Sequence, residues 1–262
     1  MNLSEIRSLM DNFIKESSLN IVPELSNMEI FAAPIVGIAA AKDPLFTKLK
    51  EEDVVGPHHL LPEEWLPSAE SIISYFLPFT NQVREANRKD GEMPASEWLY
   101  ARIEGEACSE ALRRYLAEEI KKRGANVVIP TLEPRFKVIN KRSNWSERHI
   151  AFIAGLGTFN LSKSFITEKG CAGRFGSLIV NFKIEATPRQ YEDIYEYCNN
   201  CGICIKRCPV NAIDLEKGKS HQICSDFLDN VIKPKYKPRY GCGKCQTGVP
   251  CESTIPIKNN PV

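Results

Sequence analysis

The C-terminal quarter of the chain contains the stretch Cys198-Asn-Asn-Cys201-Gly-Ile-Cys204-Ile-Lys-Arg-Cys208-Pro209. Spacings of this kind between cysteines occur where three thiolates bind one iron–sulfur cluster and the fourth binds a neighbouring cluster. The short spacings turn successive sulfurs toward one cuboidal cluster, and the proline redirects the chain. The stretch therefore predicts an iron–sulfur module.

A second set of cysteines completes the ligands that two clusters require. It consists of Cys224, Cys242, Cys245 and Cys251. In ferredoxins with two clusters the ligands cross, so that the fourth cysteine of the first set joins the second cluster. This rule assigns one [4Fe–4S] cluster to Cys198, Cys201, Cys204 and Cys251. It assigns a second [4Fe–4S] cluster to Cys208, Cys224, Cys242 and Cys245.

Two other uses of the cysteines fit less well. Structural zinc favours separated pairs of ligands around one tetrahedral ion, which differs from this tight spacing. Disulfides belong to oxidising compartments, and residues 1–20 carry regular charges and no apolar signal segment. We expect a cytoplasmic protein that makes no membrane contact. Lys and Arg number 34 against 33 Asp and Glu, so no broad polyanion-binding field is indicated.

The uneven placement of the cysteines predicts two domains, 1–187 and 188–262. Eight of the ten cysteines lie between Cys198 and Cys251. In the first domain we expect an opening amphipathic helix, a helix over 96–123, and buried strands at 34–42, 71–78 and 125–130. These alternating patterns predict an α/β (α+β) domain.

The remaining two cysteines lie in the first domain. Cys108 on the long helix is expected to be a small buried hydrophobic residue. Cys171 lies in a glycine-rich loop, where we favour a thiol without a role over a ligand. The basic run 233–239 is a candidate phosphate contact, with a solvated loop as the simpler interpretation.

The order of motifs resembles the epoxyqueuosine reductase family, whose members are corrinoid-dependent iron–sulfur enzymes related to reductive dehalogenases. The matching segments are Trp65–Pro78, Glu147–Gly157, Leu161–Thr167, the eight-cysteine frame and Cys242–Gln246. The resemblance implies a nitroreductase-like domain that holds base-off cobalamin, with a double-cluster module packed over it. It also implies a carboxylic acid that protonates the substrate, at the position of Glu147.

The same resemblance suggests that Gly155 and Gly157 form a tight turn approaching the cofactor, a corrin or a flavin. A dinucleotide fingerprint is less suitable here, because Asn160 stands where its third glycine is expected. Two departures from the family concern the C-terminal end. The last ligand follows as Cys245-x5-Cys251, and the sequence lacks the helical-repeat extension that those enzymes use around tRNA. The substrate is therefore expected to be either tRNA-borne or a small molecule.

Three functions remain open from the sequence. The leading one is a cobalamin-dependent oxidoreductase supplied by a low-potential electron donor of the ferredoxin or flavodoxin type. The second is an electron-transfer or reductive activator protein for another metalloprotein. The third is a flavin-using reductase on the same fold.

Overall fold

The computed structural model describes residues 1–89 and 91–257. Its α-helices are α1 (Leu3–Glu16), α2 (Leu45–Lys48), α3 (Pro62–Trp65), α4 (Asn81–Arg88), α5 (Ser96–Lys121), α6 (Glu147–Ile153), α7 (Ile203–Lys206), α8 (His221–Phe227) and α9 (Lys233–Tyr236). Its strands are β1 (Ile21–Val22), β2 (Met28–Glu29), β3 (Ile35–Ala40), β4 (Ser71–Pro78), β5 (Val127–Val128), β6 (Val138–Ile139), β7 (Arg142–Ser143), β8 (Gly157–Phe159), β9 (Phe165–Thr167), β10 (Gly173–Val180), β11 (Ile213–Asp214) and β12 (Gly218–Lys219). Short 3₁₀ turns and one π turn, Leu228–Ile232, connect several of them.

The core of the first domain is a four-stranded sheet in the order β3-β4-β10-β5. All three pairings are antiparallel. Every residue of β4 is buried, because it lies inside the sheet and both of its faces are covered. The predicted mixed α and β fold is confirmed, and its antiparallel sheet is the α+β form of the two that the sequence allowed.

The two faces of the sheet pack against different helices. On one face Ile73, Tyr75 and Leu77 of β4 share a core with α1 and α5. On the other face Ile72 of β4 and Ile179 of β10 share a core with α6. This alternation is the two-residue period of a strand.

The long helix and the strands agree closely with the sequence prediction. Helix α5 ends at Lys121, two residues before the predicted end, and Gly124 follows with a φ of +78°. Strand β5 covers only two residues of the predicted 125–130 segment. Among the described helices, none combines the length and apolarity needed to cross a membrane.

The cysteine-rich module docks onto α4 through buried polar contacts. Asn87 Nδ2 donates to Cys242 O at 3.1 Å. Lys244, only 2% exposed, donates from Nζ to the carbonyl oxygens of Asn87 and Lys89. At the predicted boundary, Thr187 N donates to Ile38 O at 2.9 Å, so the chain is still paired with the edge strand β3 at this point.

Candidate functional site

The first predicted cysteine group lines one small cavity, which contains Cys198, Cys201, Cys204 and Cys251. The backbone between the first three turns sharply, since Asn200 and Gly202 both have φ in the left-handed region, at 51° and 70°. Asn160 Nδ2 lies 3.7 Å from Cys251 Sγ and donates toward it. The long Cys245-x5-Cys251 spacing therefore still returns the last cysteine to the group that the sequence assigned to it.

The second predicted group lines a neighbouring cavity of about 390 Å³, which contains Cys208, Cys224, Cys242 and Cys245. Gly243, between the last two, has a φ of +65°, and a Cβ there would overlap the Trp98 ring. Lys219 Nζ lies 4.0 Å from Cys245 Sγ. The eight cysteines thus line two cavities in the two sets that the spacing predicted, and their role as cluster ligands stays a prediction.

The sulfurs surround these cavities rather than meeting at one point. Within the described ranges no three His, Cys, Asp or Glu side chains converge as they would on a single metal ion.

Cys171 is closer to the first group than the sequence suggested. Its buried Sγ lies 3.9 Å from Cys251 Sγ and donates toward it, and its backbone N–H donates to Cys251 O at 2.9 Å. The hydrogen bond from Cys171 lowers the pKa of the Cys251 thiol. Cys108, by contrast, is the buried hydrophobic residue that was expected, and burial raises the pKa of its thiol to about 12.

A central cavity of about 760 Å³ adjoins the second cysteine group. The two cavities share Arg102, Arg148, Gly173, Arg174, Tyr240 and Gln246 as wall residues. The volume lies within the usual range for small-molecule and cofactor sites. A ligand in the central cavity would therefore lie next to the cysteine group formed by Cys208, Cys224, Cys242 and Cys245.

Glu147, the first residue of α6, lines this central cavity. Its Oε2 accepts a hydrogen bond from Ser177 Oγ at 2.6 Å, and Ser177 Oγ accepts one from Trp145 Nε1 at 2.8 Å. Its Oε1 is buried and has no hydrogen-bond partner. Burial raises the pKa of Glu147 above its ordinary value, although Arg113 and Ser177 oppose the shift. The carboxyl is thus held in place and biased toward its protonated form.

Other buried polar atoms around the cavity also lack partners. They are Thr131 Oγ1, Arg113 Nε and Arg174 Nε. The two arginines share the carboxylate of Glu106, which forms ion pairs with both. Burial, with a further contribution from Arg102, lowers the pKa of Arg174 to about 9. Unpaired buried polar atoms are rare in folded proteins, so their concentration around one cavity indicates a polar ligand.

A third cavity, here called the outer groove, has a volume of about 550 Å³ and opens from the central one. The two share Ser143, Ser146 and Arg148. The cations that line the outer groove are Lys141, Arg142, Arg148 and Lys163, and its one acidic wall residue is Asp53. No single run of the sequence predicts this cluster of cations, because its members come from a hairpin, a helix and a loop.

Two neutral histidines support the start of α6. His59 is fully buried, stacks on Trp145 at 5.8 Å and accepts from Ser146 N at 3.3 Å. Burial lowers the pKa of His59 to about 4. His149 Nδ1 lies 2.8 Å from Ser146 Oγ, and burial lowers its pKa to about 3. Both rings therefore fix the residue that precedes Glu147, a role that the sequence did not reveal.

The basic run at 233–239 is largely used within the protein. Lys233 pairs with Asp229 at 2.6 Å, and Arg239 pairs with Glu104 at 2.5 Å while stacking on Tyr100. These pairings disfavour a phosphate contact, and residues 233–236 form α9 rather than the expected loop.

Known iron–sulfur proteins are similar to this chain in sequence and in fold. A family model for a 4Fe-4S binding domain matches residues 191–214. This range contains Cys198, Cys201, Cys204 and Cys208. An epoxyqueuosine reductase from Francisella cf. novicida is 24% identical over 212 residues, covering 77% of this chain and 58% of that relative. The chain resembles the epoxyqueuosine reductases.

Solved structures show the same fold. An epoxyqueuosine reductase bound to an epoxyqueuosine-modified tRNA-Tyr stem loop has a TM-score of 0.53 at 18% identity, covering 96% of this chain and 66% of that one. A reductive dehalogenase whose structure suggests a mechanism for B12-dependent dehalogenation has a TM-score of 0.57 at 15% identity. That match covers 86% of this chain and 30% of the dehalogenase. The chain spans about half the length of the curated epoxyqueuosine reductases it matches.

The two glycines in the block shared with the epoxyqueuosine reductases have neighbours from the chain itself. Gly155 has a φ of +80°, and a Cβ there would approach the carbonyl oxygens of Thr187 and Pro188. A Cβ on Gly157 would lie 1.8 Å from Ile166 O, across the β8–β9 pairing. Neither glycine is among the wall residues of the central cavity. The close approach that the sequence indicated is made by backbone, and the structure accounts for both glycines without a cofactor.

Proposed function

We propose that the chain is an iron–sulfur oxidoreductase whose eight grouped cysteines hold two [4Fe–4S] clusters and whose central cavity holds cobalamin and a reducible substrate. The observation that carries this proposal is the buried, unpartnered Oε1 of Glu147 beside a cavity that shares its wall with the second cysteine group. A protein that only transfers electrons has no need of such an acid.

The cysteine groups suit two clusters in sequence. Cys201 of the first group is exposed, whereas the second group adjoins the central cavity. We therefore assign the docking of a ferredoxin-type or flavodoxin-type donor to the surface around Cys201. Exposure and nearby charge tune the potentials of such clusters, and the cation of Lys219 beside Cys245 acts on the second group.

The central cavity fits a large polar cofactor. Its unpartnered donors and acceptors match the amide-bearing edge of a corrin. Thr131, Arg113 and Arg174 are the residues we assign to that contact. When bound, the clusters and cobalamin supply low-potential electrons and a cobalt centre that can accept them.

The chain itself supplies the proton. Ser177 and Trp145 fix Oε2 of Glu147, which leaves Oε1 as the atom that delivers a proton to the leaving group of the substrate. A raised pKa keeps this acid protonated further toward neutral pH. The substrate is either tRNA-borne, as the epoxyqueuosine reductase structure with a tRNA stem loop suggests, or a small molecule. We place the enzyme in the cytoplasm.

Anaerobic reconstitution with cobalamin or with FMN, followed by gel filtration and absorption spectroscopy, tests this function. We expect the chain to retain cobalamin in a base-off spectrum together with both clusters. The variant Thr131→Val, which removes an unpartnered hydroxyl, should retain less of it, and Thr47→Val on α2 serves as the control. Retention of FMN alone would make the chain a flavin reductase. Retention of neither cofactor would favour the electron-transfer role and refute the proposal.

A further inference from the structure

We propose that the outer groove is an anion-binding subsite that holds the phosphate of a small phosphorylated substrate. The reducible end of that substrate would extend past Arg148 and reach Glu147 in the central cavity. The second half of this inference rests on the proposed function, whereas phosphate binding in the groove does not.

The side-chain hydrogen bonds of Lys141, Arg142 and Arg148 go only to neutral acceptors. Lys141 Nζ donates to Gln222 Oε1 at 2.8 Å and to Ser225 Oγ. Arg142 Nη1 donates to the carbonyl oxygens of Glu52 and Val55, at 2.7 and 3.2 Å. These bonds orient the side chains and leave their charge uncompensated.

The other two cations join the groove to the deeper cavities. Arg148 Nη1 donates to Lys163 O at 2.5 Å, so the two residues are fixed to each other. Within residues 1–89 and 91–257, no carboxylate lies at ion-pair distance from Lys141, Arg142, Arg148 or Lys163. Elsewhere the chain pairs such cations, as in Arg189 with Asp43 at 2.6 Å.

Positive charge in this confined space acts on its neighbours. After burial, the next contribution to the low pKa of His149 is the charge of Arg148. A cleft that is lined by one sign of charge and has low-dielectric walls concentrates counter-ions. Four cations facing one carboxylate therefore make the outer groove an attractive site for an anion.

The dimensions and residue types select the class of anion. A volume of about 550 Å³ suits a molecule no larger than a mononucleotide. The β6–β7 hairpin bounds one side and His221 with Gln222 of α8 bounds another, which suits a small phosphate ester better than a base-paired RNA stem. A phosphate monoester carries close to two negative charges at neutral pH, and Arg and Lys are its usual protein ligands.

Arg148 connects the subsite to the reaction centre. It lines the outer groove, the central cavity and the second cysteine cavity. Ser143 and Ser146 complete the passage between the first two. A substrate anchored by its phosphate would therefore point its other end at Glu147, the neighbour of Arg148 in the chain.

Isothermal titration of the reconstituted chain with ribose 5-phosphate, inorganic phosphate and uncharged ribose tests the subsite. We expect both phosphates to bind and ribose not to. Lys163→Gln should weaken ribose 5-phosphate binding about tenfold, the loss of one charge-assisted hydrogen bond. Lys163→Arg should restore it, and the exposed Lys183→Gln should leave it unchanged. Iron content and retained cobalamin should equal the wild-type values in all three variants.

Three results would overturn the inference. One is equal affinity of the wild type and Lys163→Gln for ribose 5-phosphate. Another is tight binding of an RNA stem loop by a chain that does not bind ribose 5-phosphate. The third is that Lys163→Gln also loses cobalamin, which would mean that the cofactor occupies the outer groove. All are binding measurements, so they fail or succeed independently of the Glu147 chemistry.

Discussion

Glu252 joins the cysteine-rich segment to helix α4. Its replacement by glutamine should lower the stability of the fold and weaken iron binding by the first cysteine group. Its side chain is almost fully buried. Oε1 accepts from Arg88 Nη2 at 2.6 Å, and Oε2 accepts from Gly248 N at 2.6 Å. Arg84 Nη1 lies 3.9 Å from Oε1. Glu252→Gln keeps the volume but removes the charge that two arginines face.

The expected cost follows from the burial of these partners. Removing one member of a fully buried ion pair costs about 3–5 kcal/mol. Here the side chain of Arg88 is 39% exposed and can turn to water, while that of Arg84 is 16% exposed. We therefore expect the free energy of unfolding in urea to fall by about 2–3 kcal/mol.

The same change should release iron from the first cysteine group. The backbone oxygen of Glu252 accepts from the N–H groups of Cys171 and Ala172, at 3.1 and 3.2 Å, and the residue follows Cys251. Loss of its side-chain anchor should therefore free Cys251. With a ferrous chelator, half of the iron should leave faster than in the wild type, and the exposed Glu168→Gln should behave as the wild type. Equal unfolding free energies and equal iron release in Glu252→Gln would refute this reasoning.

Four further outcomes follow from the structure. Glu147→Gln should lower turnover by about 10²–10⁴-fold while both clusters stay bound, and full activity would remove the acid role. Because the folded pKa of Glu147 is raised, the wild type should lose stability relative to Glu147→Gln as pH rises above the ordinary glutamate value; a constant difference across pH would contradict the shift. His59, with a folded pKa of about 4, must be charged in the unfolded chain at acid pH, so it should cost about 1 kcal/mol of stability between pH 7.5 and 5.5. The variant His59→Asn should not show this loss of stability. If its stability depended on pH in the same way as that of the wild type, the low pKa assigned to His59 would be wrong. Gly157→Ala, whose Cβ would strike Ile166 O, should reduce soluble folded protein sharply, and a wild-type yield of folded protein would contradict this close approach.

Local spacing explains why the cysteine groups could be predicted. Cys198 to Cys208 lie within one short segment, so their separations limit how the sulfurs turn. Cys251, which the crossed rule assigned to the first group, lines the same cavity as three of them. The buried strand Ser71–Pro78 could also be predicted, because a short, mostly apolar segment that ends at a proline is typical of a buried strand.

The cavities could not be predicted, because their residues meet only in three dimensions. Arg113 on α5, Trp145 before α6 and Ser177 on β10 approach Glu147 from separate elements. The proximity of Cys171 to Cys251 likewise depends on a contact across 80 positions of the chain. The sequence predicted a close approach at Gly155 and Gly157, but it could not identify the approaching group as backbone.

We propose that the chain holds two [4Fe–4S] clusters beside a ligand cavity. Iron and acid-labile sulfide analysis of anaerobically prepared protein, together with electron paramagnetic resonance after reduction, tests this proposal. We predict a brown protein with about eight irons and about eight sulfides per chain, and about four of each in Cys208→Ser. A colourless protein with stoichiometric zinc, or one with about four irons in the wild type and in Cys208→Ser alike, would contradict it.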